Sequence, residues 1–532
     1  MSGVIAGGEE RTVAAGATML KQEGNAVDAA VAAAFASFTC EVGLVHLGGS
    51  GLAHIFDSQT QKSFVYDFFS NTPGLGQAMP SEMDFQQVMI DFGSATQEFH
   101  LGRAAVAVSG NIIGLCQMAR DYGRLPLSTL LQPAIALARS GVAIAPFQAA
   151  TCDLLTSLYT HTAGMRQVFA PKGRIIRAGE PLFIPDLANT LSILAKEGAN
   201  YARTGGLAQA ILADQKANGG LMTHMDLTSY QVRVVPPIRI PYREYEILLP
   251  PPSSNGGVLT AFTLKLLADY NVSQYAHGSA DHLRLLYEVM SATTRARVHW
   301  DKVEPLPDGL PSSNAVADFL DDKFIAPYRS EVADAFVHHT PMQAIAEPKG
   351  PSNTSQISVI DDDGLMVSLT TTAGESAGYV VPHTGYIPNN MLGEEDLHPH
   401  GFHTRPAGQR IPTMMTPTII LKNNKPCLVV GSGGSARIRS AILQVLSNLL
   451  DYQMSLPDAV NAARVHVQNG ILQCEAGYHP SAVNQLAQQG YPINRWDKRS
   501  LYFGGAHSAA LTSNGQLVAA GDTRRGGAVA VV

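Results

Sequence analysis

Thr354 follows a proline-bearing stretch and opens the run Asn353-Thr354-Ser355-Gln356-Ile357-Ser358-Val359-Ile360-Asp361. A threonine hydroxyl at a strand edge can attack a carbonyl if a base takes its proton. Threonine also favours strands through β-branching alone, so on pattern the position needs no function. Thr370-Thr371-Thr372 reads the same way. Gly431-Ser432-Gly433-Gly434-Ser435 lies between an apolar run and a helical pattern. It is either a tight turn or a row of backbone N–H groups at a helix N-terminus, which can stabilise a developing oxyanion. It lacks the Gly-Lys-Ser/Thr ending of a phosphate cradle. His398, His400 and His403 are close enough in sequence to meet at a metal. Their segment holds Pro and Gly, no cysteine and no HExxH pattern, so they read as exposed loop histidines. Neither a metal nor a cofactor is expected. Ser253 and Ser254 sit in a proline-rich turn, not in a GxSxG elbow.

Elements must hold these groups. Asn25 to Phe38, NAVDAAVAAAFASF, reads as a helix with Asn25 as N-cap and Asp28 in its first turn. Alanine is small on every face, which suits a helix packed on both sides. The Gly48–Gly51 turn leads into strand patterns at 52–56 and 63–68. Residues 110–330 read as mostly helical, and Ser279 caps a helix with apolar or bulky Leu283, Leu286, Tyr287 and Met290 at helical spacing. Residues 337–353 hold three prolines and a glycine without periodicity, and read as an exposed linker. Two strands at 355–360 and 365–372 flank Asp361-Asp362-Asp363-Gly364, a hairpin signal. A strand at 427–430 and a helix with Ile438, Ala441, Ile442, Val445, Leu446 and Leu449 on one face follow.

The 532 residues carry 45% hydrophobic and 15% charged side chains, enough apolar material for a large core. The net charge of −7, with no basic run, argues against nucleic acid as a partner. The five cysteines form no CxxC pair and read as buried or free thiols. No signal-like N-terminus and no long apolar span is present, so no membrane contact and a cytoplasmic location are expected, or a periplasmic one if a signal has been removed.

The chain resembles the gamma-glutamyltranspeptidase family along nearly its whole length. The resemblance rests on GNAVDAAVAAAFA at 24–36, the 48–51 turn, YGRLPLSTLLQPAIALARSG at 122–141 and GGLMTHMDLTSY at 219–230. It continues with PPPSSNGG at 250–257, TSQISVIDDDG from Thr354, Asn389-Asn390, MTPTI at 415–419, VGSGGSARI at 430–438 and GDTRRGG at 521–527. It implies an α+β, four-layer αββα sandwich of the N-terminal-nucleophile hydrolase type, made as a precursor. Thr354 would cut the chain before itself, giving a large fragment 1–353 and a small one 354–532 that form one intertwined fold. The freed α-amine, with an ordinary pKa of about 7.7–8.0, would then serve as the base.

By the same resemblance Thr372 would hydrogen-bond the nucleophile, and the N–H groups of Gly434 and Ser435 would form the oxyanion hole. Ser435 stands where the family has glycine. The family's carboxylate arginine becomes Phe69, its two serines become Thr413 and Met414, and its amine-binding asparagine and glutamine become Gly374 and Met391. Its aspartate becomes Glu394, the one retained charge, beside Asn390. Arg405, Arg410 or Arg437 could supply the lost positive charge. The expected partner is a small amide or peptide. Gamma-glutamyl substrates, a non-glutamyl acyl group as in acylase relatives, and an inert binding protein all remain open, as does the oligomeric state.

Overall fold

In the computed structural model, residues 2–91, 96–343, 345, 353–398, 400–512 and 514–532 are described. Helix α1 (Ala26–Cys40) starts at a reciprocal cap: Asn25 accepts from the Val27 and Asp28 amides, and Asp28 accepts from the Asn25 amide. All of its side chains are buried. Its alanines let it lie between a second helix, Glu10–Lys21, and the face of a sheet. That sheet has seven antiparallel strands in the order Ala528–Val531, Gly3–Gly7, Asn353–Asp361, Met366–Gly374, Ser50–Asp57, Lys62–Phe68 and Arg233–Val235. We label Asn353–Asp361 β1 and Met366–Gly374 β2.

A second, six-stranded sheet runs Leu517–Ala520, Ser508–Leu511, Lys425–Val430, Thr418–Lys422, Tyr245–Leu249 and Ile238–Tyr242. Helices α2 (Asn255–Leu267), α3 (Ala280–Trp300) and α4 (Arg437–Leu450) cover it, α2 packing between the other two. Strand β1 packs on Ser508–Leu511 and Lys425–Val430, so the two sheets stack and the layers read αββα, the fold expected. The seam between the sheets is apolar at one end, through Ile360, Met366, Ile419 and Val429. Toward Thr354 it turns polar. Gln356 donates to Ser358 and Ser368 and accepts from Thr370.

The hairpin turn is tied to α1. Asp361 accepts the Leu365 amide and the Ala26 amide at the helix N-terminus. The mostly helical reading of 110–330 misses the strands between Arg233 and Leu249. Pro236, Pro237 and Pro241 mask them; Arg233–Val235, which Pro236 follows, and Ile238–Tyr242, which holds Pro241, lie at sheet edges, where a missing N–H is tolerated. The linker reading also needs correction at its ends. Val337 and His338 belong to the helix Asp322–His338, and Asn353 is a buried strand residue. Residues 344 and 346–352 of that stretch lie outside the described residues.

Candidate active site

Strands β1 and β2 pair Asn353 with Gly374 and Ser355 with Thr371, and the register slips between them. Between those pairs β1 has one residue, Thr354, and β2 has two, Thr372 and Ala373, so β2 bulges opposite Thr354. The neighbours on each side are pinned by buried carboxyl groups. Glu375 accepts from the Asn353 amide at 3.2 Å and from Asn353 Nδ2 at 2.6 Å. Glu41, at the end of α1, accepts from Ser355 Oγ at 2.7 Å and from Thr12 Oγ1 at 2.6 Å. Burial pushes the Glu41 carboxyl up to about 7. Between these anchors Thr354 Oγ1 is buried and has no hydrogen-bond partner among the described residues.

Thr372 was expected to hydrogen-bond Thr354. It instead donates from Oγ1 to the Asn353 carbonyl oxygen at 2.5 Å and accepts the Gly374 amide at 3.0 Å. In the uncut chain that carbonyl belongs to the Asn353–Thr354 peptide bond, so the Thr372 hydroxyl polarises the group that Thr354 would attack. The Thr354 carbonyl oxygen accepts from Arg525 Nη1 at 3.3 Å. Gly433 lies against the same carbonyl so closely that a Cβ there would overlap it. Arg525 comes from the GDTRRGG stretch. Its role is not readable from spacing, because contact with Thr354 spans 171 residues.

Gly434 and Ser435 both have positive φ, +122° and +50°. Their N–H groups donate to no backbone or side-chain acceptor among the described residues. Ser435 holds a left-handed conformation that costs a side chain free energy. Its hydroxyl donates to Asp396 Oδ2 at 2.5 Å, a local tie that a glycine could not make.

A narrow cleft opens here. Phe69, Thr354, Thr372, Gly374, Met391, Glu394, Asp396, Leu397, Thr413, Met414, Met415, Ser435 and Ile438 line it. Six of the eight candidate site residues thus meet at one place. Asn390 stands just behind, its Oδ1 accepting the Glu375 and Ser376 amides. Gly374 has φ +64°, and the Glu394 and Asn390 oxygens fill the space its Cβ would need. Gly434 adjoins Ser435 in the turn.

Glu394 is buried with Asp396 and Glu375 nearby, which raises its carboxyl well above the usual range. Glu394 Oε1 and Asp396 Oδ1 have no partner among the described residues. None of the three proposed arginines lines the cleft. Arg410 donates to the Phe69 carbonyl, to Tyr230 Oη at 2.9 Å and to the Gln231 carbonyl at 2.7 Å. Arg405 reaches the Gly309 carbonyl at 3.4 Å, and Arg437 lies over the Tyr502 ring. The loop histidines also differ from expectation. His398 is buried with Nε2 against the Met391 carbonyl, His403 contacts the Ala104 carbonyl, and His400 is exposed.

The profile of the gamma-glutamyltranspeptidase family matches residues 12–532. The chain belongs to that family. It is 32% identical to the acylase ACY 1 proenzyme of Pseudomonas sp. (strain V22), over 97% of this chain and 90% of that one. The glutathione hydrolase proenzyme of Bacillus subtilis (strain 168) is 29% identical over 96% of this chain and 88% of its own. A solved cephalosporin acylase from Bacillus halodurans superposes with a TM-score of 0.84 at 26% identity, over 99% of this chain and 95% of that one. This family of gamma-glutamyltranspeptidases, glutathione hydrolases and acylases is enzymatic, and its relatives are named as proenzymes. Among the described residues, no helix is long and apolar enough to cross a membrane.

Proposed function

We propose that the chain is a self-processing N-terminal-threonine amidohydrolase, and that its acyl pocket suits a group without the α-carboxylate of a gamma-glutamyl substrate. One observation carries the reading. The unpartnered Thr354 hydroxyl and a Thr372-polarised peptide carbonyl meet at a cleft whose lining holds no basic side chain.

In processing, Thr354 Oγ adds to the Asn353 carbonyl carbon, and the hydroxyl proton passes to the departing nitrogen. The C–N bond breaks as an ester forms. Water then hydrolyses the ester, leaving an Asn353 carboxylate and a Thr354 residue with free hydroxyl and α-amine. The products are residues 1–353 and 354–532. In turnover the same hydroxyl attacks a substrate amide and the α-amine serves as base. The N–H groups of Gly434 and Ser435 receive the oxyanion.

The lining decides the acyl group. A carboxylate entering without a cation would cost several kcal/mol, on the order of 3–5. Phe69, Met391, Met414, Met415, Leu397 and Ile438 offer apolar contact instead. A protonated Glu394 would donate a hydrogen bond to an acyl acceptor. One observation favours the gamma-glutamyl alternative: Glu394 and Asp396 could ionise against a substrate ammonium.

The test is twofold. Intact mass should give two chains with Thr354 at the new N-terminus, a single chain for Thr354→Ala, and slower cutting for Thr354→Ser. A stable uncut wild type removes the mechanism. Competition between a gamma-glutamyl anilide and neutral acyl anilides, scored by kcat/KM, should favour a neutral compound. A gamma-glutamyl preference of about a hundredfold, roughly 2.7 kcal/mol, overturns the acyl assignment.

A further inference from the structure

We infer that Glu375 is the positioning residue for self-processing: its carboxyl clamps Asn353 in place for the cut. The inference rests on the proposed cleavage and names the group that regulates it.

Glu375 is buried, and among the described residues its two carboxyl oxygens take hydrogen bonds from Asn353 alone, through its amide and its side chain. Its own amide is fixed by Asn390 Oδ1 at 2.7 Å, so the carboxyl is delivered from a rigid β2 terminus. This two-point grip fixes the plane of the peptide that follows. The Asn353 carbonyl thereby faces Thr372 Oγ1 on the bulged part of β2, and Thr354 Oγ1 has no partner among the described residues. A near-attack geometry is worth most when both reactants are held.

Cleavage consumes one water and creates a carboxylate at Asn353 and an amine at Thr354. The new carboxylate is covalently next to the clamped amide, so it lies within about 6 Å of the Glu375 carboxyl. Asp396 and Glu394 face Glu375 from the segment 394–396, Arg525 from the C-terminal turn and Tyr159 from the helical layer. Arg437 and Arg297 in turn face Asp396.

The experiment compares processing rates, by intact mass, of the wild type, Asn353→Asp, Glu375→Gln and the double variant. Each single variant should cut at least tenfold more slowly. The double variant should recover to within about threefold of wild type, because the glutamine introduced at position 375 can accept the residue-353 amide and donate to the aspartate introduced at position 353. If Glu375→Gln fails to fold, Asn353→Ala, which removes the 2.6 Å bond, should show the same slowing. Wild-type rates in the single variants, or no recovery in the double one, would overturn the clamp and leave the proposed hydrolase intact. An uncut wild type would sink both.

Discussion

At the scale of single residues, the Thr372 hydroxyl bears on the Asn353 carbonyl, where cleavage is proposed, and not on the Thr354 hydroxyl. Thr372→Val should therefore slow self-processing itself, by about ten- to a hundredfold, the range between one ordinary hydrogen bond and one oxyanion donor. A time course of chain cleavage measures this. Unchanged cleavage with impaired turnover would return Thr372 to the role expected from sequence. Glu41 gives a prediction in pH. Its folded pKa, about 7, is raised above the ordinary 4.5. The folded state therefore holds the proton more tightly than the unfolded state. The stability this contributes is fully present below about pH 4.5 and is lost as pH rises to about 7. Glu9 and Cys40 face Glu41, and neither brings positive charge. Glu41→Gln should flatten that decline by about 3 kcal/mol, from about 2.5 units at 1.36 kcal/mol each. Thermal melts of both proteins from pH 4 to 8 check it, and parallel curves would refute it.

At the scale of elements, the Gly48–Gly51 turn explains itself by close approach. A Cβ on Gly49 would overlap the Thr372 carbonyl oxygen, and one on Gly51 would overlap Phe68 and crowd the Thr370 carbonyl. The turn is a backbone surface on which the Thr370–Thr372 end of β2 rests. Gly49→Ala should therefore push that strand end and lower both processing and kcat/KM by at least tenfold, although residue 49 does not line the cleft. Kinetics alongside a melting curve separate this from global unfolding. Full activity would mean the strand end absorbs a methyl group. Helix α1 was readable to within two residues because its cap and composition are local signals.

At the scale of the whole molecule, the first sheet alternates between the two proposed fragments. Gly3–Gly7 lies between strands of the C-terminal part, and β1 and β2 lie between strands of the N-terminal part. The second sheet joins Thr418–Lys422 to Tyr245–Leu249 across the same division. Fragments 1–353 and 354–532 should therefore co-elute from a sizing column and separate only in denaturant. Separation in plain buffer would contradict the shared sheets.

The sequence by itself determined the elements whose signals are short-range: the capped alanine helix, the Asp-Gly hairpin, the glycine turns and the helix after Ser435. Through ordered motifs it also determined the family, and with it the set of residues that meet at Thr354. Tertiary structure decided what those residues do to one another. Thr372 bonds the carbonyl of Asn353 because of a one-residue register slip, and no spacing rule announces such a slip. Glu375, Glu41 and Arg525 reach the site across 22, 314 and 171 residues. The Glu394 carboxyl is raised because folding buries it beside two other acids. Burial and long-range contact are properties of the packed chain, so the ionisation and hydrogen bonding of the site could be read only there.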